Sequence, residues 1–143
     1  QLGGVYSFQS GAPINFGNLA FNGSFDNIAL PSSEQAVERW FNTNAGFERT
    51  AALQLASNRR YFPLRFGHVR ADTINNFDFS LIKNTVFRES MNLQIKGEFL
   101  NGFNHPLFPA PNTTPTSGAF GTAVASTQAN YPRRVQLSAK FIF

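Results

Sequence analysis

The chain of 143 residues contains no cysteine. That excludes a disulfide framework, a thiolate metal site and a cysteine nucleophile. Charge is scarce: charged residues make up 14%, against roughly 25% in ordinary soluble domains. No run of about 18 apolar residues occurs, so no transmembrane helix is expected. Histidine appears twice, as His68 and His105 in separate loops. Neither has a second histidine or a carboxylate at ligand spacing, and no metal site is expected. Asp26, Glu34, Glu38, Glu48 and Asp72 are loop carboxylates without a partner that spacing identifies. No GxSxG, P-loop or GxGxxG is present, and the stretch Ser117 to Gly121 reads as a turn rather than a phosphate cradle. Asn112-Thr113-Thr114 has the form of a glycosylation acceptor, a short motif that a bacterial source would make idle. These absences point away from an enzyme and away from any cofactor.

Phenylalanine is abundant instead. It supplies 17 residues of an aromatic fraction of 15%, too many for a disordered chain. Asn, Gln, Ser, Thr and Gly dilute it to a mean hydropathy of -0.21. The net charge is +4, nine of the 12 basic residues are Arg, and no block of like charge occurs. No nucleic-acid-binding motif accompanies the excess, so no nucleic-acid partner is expected. The chain opens at Gln1 rather than Met, which reads as a processed, truncated or partial product, with any export signal upstream.

Alternation is the clearest pattern. Val135, Leu137, Ala139, Phe141 and Phe143 alternate with Gln136, Ser138, Lys140 and Ile142. Met91, Leu93, Ile95, Gly97 and Phe99 alternate with Asn92, Gln94, Lys96 and Glu98. Phe77, Phe79 and Leu81 stand against Asp78 and Ser80, and Leu2, Gly4, Tyr6 and Phe8 against Gln1, Gly3, Ser7 and Gln9. A period of two places one apolar and one polar face on a strand. The expected fold is therefore all-β, with about four long antiparallel strands at 1–9, 74–84, 91–101 and 133–143. A soluble sandwich shares this alternation. Length separates the two, because soluble strands cluster near about 5–6 residues. A strand of about 11 residues spans about 36 Å, and tilted about 40° it covers the apolar band of an outer-membrane barrel, about 25 Å tall.

The connections are unequal: long loops at 10–73 and 102–132, and a short link from Thr85 to Ser90. Outer-membrane barrels alternate long extracellular loops with short periplasmic turns in this way. Within the first loop, Ser32 and Gln35 have capping-box spacing, and Ala36, Val37, Trp40 and Phe41 fall on one stripe. One short helix near 32–42 is expected, with Trp40 either packed on its own loop or offering a stacking face to a ligand. Residues 49–71 carry Arg49, Arg59, Arg60, Arg65 and Arg70 and no acid. That cluster is a candidate contact for anionic lipid or polysaccharide, since guanidinium binds phosphate in bidentate fashion. Its alternative is a solvated loop whose arginines pair elsewhere.

The segments NFDFSLIKNTVFRESMNLQIKGEFLNGFNHPLF and YPRRVQLSAKFIF resemble the last strands of TonB-dependent outer-membrane receptors. The group with a carboxypeptidase-regulatory-like N-terminal domain, abundant in soil bacteria such as Acidobacteria, is the most similar. YSFQSGAPINFG looks like an earlier strand entering its extracellular loop, and Asn27 to Pro31 with Val37 to Asn42 resemble a loop of that group. The resemblance covers nearly the whole chain and is most specific at Phe99 to Pro106 and at Phe143.

The resemblance implies a C-terminal barrel segment of a receptor for nutrient uptake, in the outer membrane of a Gram-negative bacterium. It implies that Leu137, Ala139, Phe141 and Phe143 form the signal read by the outer-membrane assembly machinery, an exposed strand that adds to a sheet edge. It does not extend to a plug or a TonB box, neither of which is seen here. About four strands do not close a membrane barrel, whose smallest members have about eight. The expected partners are therefore the rest of a receptor barrel or copies of the chain itself through its strand edges, with outer membrane or lipopolysaccharide around them. The alternative is a self-assembling extracellular filament or ring subunit derived from such a receptor. A soluble carbohydrate-binding sandwich is a third, weaker reading.

Overall fold

A computed structural model describes residues 1–54, 60–88, 91–124 and 128–143. Six strands follow in order: β1 (Leu2–Gln9), β2 (Pro13–Ile14), β3 (Phe66–Arg70), β4 (Ile74–Arg88), β5 (Met91–Leu100) and β6 (Arg134–Ile142). Two single turns of 3-10 helix lie at Phe25–Asn27 and Ala51–Leu53. The chain divides into two compact units, one of 1–9, 74–107 and 130–143, the other of 10–73 and 108–129.

The first unit is an antiparallel sheet in the order β1-β4-β5-β6. These are the four segments that alternation marks, and the fold is all-β. Its register aligns rows across the sheet. Leu2 faces Leu81, Leu81 faces Gly97, and Gly97 faces Leu137. Lys83, Ile95 and Ala139 form the next row, and Thr85, Leu93 and Phe141 the one after. β4 runs four residues past the expected end at 84, to Arg88. Thr85, Val86 and Phe87 favour extended backbone, and the strand stays paired to Met91 through a register shift between Val86 and Arg88. The expected six-residue link shrinks accordingly, and its remainder, 89–90, lies outside the described residues.

The second unit consists of the two long connections, and it has a core of its own. Ile14, Phe16, Leu19, Phe21, Ile28, Trp40, Phe41, Phe47, Phe62, Phe66, Val69, Phe120 and Ala123 are buried together. Phe16 sits among Phe41, Phe47, Phe62 and Phe66 at centroid distances of 5.1, 5.3, 4.9 and 5.6 Å. Such tilted and edge-on pairs add to the burial of the rings. β2 and β3 make a small two-stranded sheet beside this core. Gly23 is required where the backbone folds back tightly: a Cβ there would lie 1.7 Å from the carbonyl oxygen of Ala45.

The short helix expected near 32–42 is absent. Residues 32–41 are turns and bends instead. The Ala36 and Arg39 backbones bond to each other in both directions, at 3.0 Å each. The Trp40 amide donates to the Gly121 carbonyl (2.8 Å), the Ala123 amide to the Val37 carbonyl (2.7 Å) and the Asn42 amide to the Ile28 carbonyl (2.9 Å). These long-range bonds use the groups a helix would pair internally. A stripe of four apolar residues over two turns is too short to win that competition, since helices below about 12 residues are marginal by themselves. Trp40 is 7% exposed and its indole Nε1 donates to the Arg70 carbonyl at 2.7 Å, so it is a core residue and offers no stacking face.

Candidate functional site

The candidate site is the sheet itself, because its two faces differ in chemistry. One face carries Leu2, Tyr6 and Phe8 on β1, Phe77, Phe79 and Leu81 on β4, Leu93, Ile95 and Phe99 on β5, and Val135, Leu137 and Phe141 on β6. The opposite face carries Asn76, Asp78, Ser80 and Asn84, then Gln94, Lys96 and Glu98, then Gln136, Ser138 and Lys140. Parity alone separates the sets, since each strand turns successive side chains to opposite sides.

The polar face is bonded within itself. Lys96 Nζ lies 2.8 Å from Glu98 Oε1, Gln94 donates to Asn84 Oδ1 at 3.0 Å, and Asn76 donates to Asp78 Oδ1 at 3.0 Å. The apolar face is bare. Leu2 and Leu137 are 75% and 76% exposed, and Tyr6, Phe8, Leu81, Ile95, Val135 and Phe141 are exposed as well. Aromatics gather toward its two ends. Phe79 stacks on Phe99 across the strand pair at 4.5 Å, and Phe77 stacks on Phe103 at 5.3 Å. At the other end Phe141 lies 6.2 Å from Phe143, and Phe87 is exposed on β4. An apolar band between two aromatic rows is the outer surface of a membrane barrel wall.

Leu137, Ala139 and Phe141 lie on the apolar face of the edge strand β6, with Phe143 exposed just past it. The sheet thus brings the four residues of the expected assembly signal onto one edge. The described arginines of the cluster differ in what they bond to. Arg49 donates to the Pro115 carbonyl at 3.2 Å and sits over the Phe120 ring at 5.4 Å. Arg70 donates to the Gly11 carbonyl at 2.9 Å. Both therefore tie loop segments of the second unit together. Arg60 and Arg65 are exposed, flanking the buried Phe62. Arg59 lies outside the described residues. His68 is exposed and packs its ring on Phe66 at 5.0 Å, and His105 serves the network below through its backbone. Among the described residues no group of three or more His, Asp and Glu is placed to hold a metal.

Two features escape a reading by motif. The first is Asn101, 1% exposed, in the left-handed region at φ 50°. Its Nδ2 donates to the carbonyls of His105 (3.2 Å) and Tyr131 (2.9 Å), its Oδ1 accepts from the His105 amide (3.0 Å), and its own amide donates to Asp78 Oδ1 (2.7 Å). This one side chain fixes the exit of β5 against the approach to β6. The second is Lys83, which parity with Phe79 and Leu81 places on the apolar face.

Residues 1–136 match the family described as outer membrane beta barrel domain. No curated protein and no solved structure matches the chain.

Proposed function

Since the chain belongs to the outer membrane beta barrel family, we propose that its sheet is a sector of the wall of a TonB-dependent receptor that takes up nutrients across the outer membrane of a Gram-negative bacterium. The observation that carries this reading is the bare apolar face with aromatics at both ends, on strands whose long connections have a core of their own. Leu93, Ile95, Phe99, Leu137 and Phe141 then face lipid, while Gln94, Lys96, Glu98, Gln136 and Lys140 face the lumen. The long connections lie outside the cell and the β4–β5 end of the sheet faces the periplasm. β1 and β6 are the edge strands of this sheet, and further strands of the same barrel pair with them. Edges left open would invite association with any other strand. β6 presents Leu137, Ala139, Phe141 and Phe143 to the assembly machinery. Contact with lipopolysaccharide phosphates falls to Arg60 and Arg65, because Arg49 and Arg70 are used within their own unit.

The test is growth of a gene-deletion strain on a panel of scarce nutrients, alongside a strain lacking TonB. A shared defect on one nutrient, restored by the intact gene, supports uptake by this receptor. A deletion strain that grows as the parent on every nutrient limited by TonB loss rejects it.

A further inference from the structure

β4 outlasts β5 at one end of the sheet. The last pairing between them sets Phe99 against Phe79. From Phe77 back to Ile74, β4 has β1 on one side and no strand of the described sheet on the other. Backbone groups along a strand point to alternate sides. Ile82 exchanges bonds with Gln1 on the β1 side, and the Phe77 carbonyl accepts from the Gly102 amide on the other, at 2.8 Å. Odd-numbered residues of β4 therefore bond away from β1. Asn75 turns its N–H and C=O that way too, beyond the end of β5, and neither has a partner among the described residues.

A hollow of about 120 Å³ lies against residues 74–76 and is closed by His105, Leu107, Asn130 and Tyr131. None of these residues lies on β1 or β6, so the open edges of the sheet do not form it. Its far side is pinned. The His105 carbonyl accepts from Asn101 Nδ2 at 3.2 Å and from Asn130 Nδ2 at 2.9 Å. The His105 amide donates to Asn101 Oδ1 at 3.0 Å and the Leu107 amide to Asn130 Oδ1 at 2.9 Å. Pro106 fixes the backbone between them. These bonds engage the His105 backbone, while its ring nitrogens have no partner among the described residues.

Among the described residues no Asp, Glu, Lys or Arg lines the hollow. Asp78 accepts from Asn76 Nδ2 at 3.0 Å, and Arg134 sits over the Tyr131 ring at 4.9 Å, so the nearest charges are engaged. Ile74, Leu107 and the Tyr131 ring give apolar surface, and Asn75, Asn76 and His105 give donors and acceptors. Apolar walls with a few placed polar groups make a small-molecule site. A charged ligand would enter it without a counter-charge. The volume is that of about four waters, at roughly 30 Å³ each, which suits the hydroxylated edge of one ring and not a peptide strand.

We propose that this hollow binds one neutral sugar ring. Its hydroxyls bond to the Asn75 backbone, the Asn76 carboxamide and the His105 imidazole, and its C–H face lies on Leu107 and Tyr131. The ring belongs to a solute at the mouth of the barrel or to the polysaccharide coating the cell, both neutral polyols. The inference rests on the extracellular placement of this end proposed above.

The test is ligand-observed NMR on the detergent-extracted protein. The probes are neutral hexoses, pentoses and their short oligomers, with glucuronate and an end-blocked tripeptide as controls. Wild type binds a neutral sugar and neither control. His105→Phe breaks none of the bonds above and removes both ring nitrogens. It weakens binding roughly fivefold, the factor to which about 1 kcal/mol for one hydrogen bond corresponds. Leu107→Trp fills the hollow and abolishes binding. Binding of no neutral sugar, or wild-type binding in either variant, overturns the site. So does a preference for glucuronate or the peptide. Labelled sugar separates the two sources. Uptake by cells that is lost on gene deletion marks a solute, whereas binding of purified surface polysaccharide without uptake marks the coat. Sugar binding by a protein whose deletion leaves growth unchanged rejects the receptor reading and keeps the site. A growth defect on a nutrient that is not a sugar, without sugar binding, rejects the site alone.

Discussion

The two units of the chain bury their phenylalanines by opposite rules. In the unit built from the long connections, Phe16, Phe21, Phe41, Phe47, Phe62, Phe66 and Phe120 turn inward onto one another. In the sheet, Tyr6, Phe8, Phe87, Phe141 and Phe143 are exposed. The first unit to be solvated by water would be the one with a core, and the sheet has none. A bare apolar face needs an apolar phase to cover it, and in an outer-membrane barrel lipid supplies one. One composition, rich in Phe and poor in charge, thus serves two solvents, and strand parity decides which rings go where.

The sharpest way to break this contrast is to remove one large apolar side chain from each unit. Phe41 is fully buried, so Phe41→Ala is expected to cost about 3–5 kcal/mol through lost burial and the cavity left behind. Leu137→Ala, on the bare face, leaves no cavity and is expected to cost about 1–2 kcal/mol of lipid contact. Urea unfolding of protein folded into vesicles measures both. Equal costs would mean that the apolar face packs against protein rather than lipid.

Charge on the bare face is the next test. Leu137→Arg places a guanidinium two rows above the Leu93 and Phe141 row and is expected to cost about 2–4 kcal/mol in a bilayer. Lys96→Leu, on the other face, loses only an ion pair with Glu98 whose partners are about one-third exposed, an interaction of about 0–1 kcal/mol. Folding into vesicles at graded urea compares the two. A larger cost for Lys96→Leu would invert the assignment of faces.

A smaller effect is expected at Asn101. Replacement by Ala leaves the Tyr131 carbonyl and the His105 amide without the Asn101 partner they have now, while the His105 carbonyl keeps its bond from Asn130 Nδ2, at about 1–3 kcal/mol. Hydrogen exchange at residues 101–107 and 130–133 should rise in that variant, with protection in β4 and β5 unchanged. Exchange that rises throughout the sheet would show that Asn101 supports more than its own junction.

The sheet was legible from the sequence because parity is a local signal: every second residue of 91–99 and 135–141 states its face. Lys83 was legible by the same parity, yet a reading by blocks ended the pattern at Leu81 and passed over it. The second unit was not legible. Its helix signal at Ser32 to Phe41 is a local one that loses to distant partners at Ile28, Gly121 and Ala123, and no pattern announces such bonds. The bonds of the arginine cluster were hidden for a related reason. Sequence shows five guanidinium groups within a stretch free of acids, but not that the Pro115 and Gly11 carbonyls occupy two of them. Asn101 stood inside the most specific stretch of the resemblance, and its role emerges only when β6 returns beside β5.

The smallest effect is a pH dependence confined to the unit with the core. The Glu48 carboxylate accepts from the Thr50 amide at 2.7 Å, and this bond, with the Thr50 hydroxyl and the Arg49 amide, holds its pKa below the ordinary 4.5. A carboxyl whose pKa is lower in the folded state stabilises the fold above its unfolded pKa and loses that contribution as pH falls through the folded one. The contribution is therefore complete at neutral pH and fades below about 4.5. Glu48 is exposed to water on that side, so the effect is slight. Glu48→Gln should lower the urea midpoint of the second unit at neutral pH and converge with wild type at about pH 3. Followed by Trp40 fluorescence, whose indole lies in that core, the two curves should differ only on the neutral side. A gap that persists at low pH would mean that Gln disturbs the Thr50 turn sterically, and that the carboxylate charge contributes nothing.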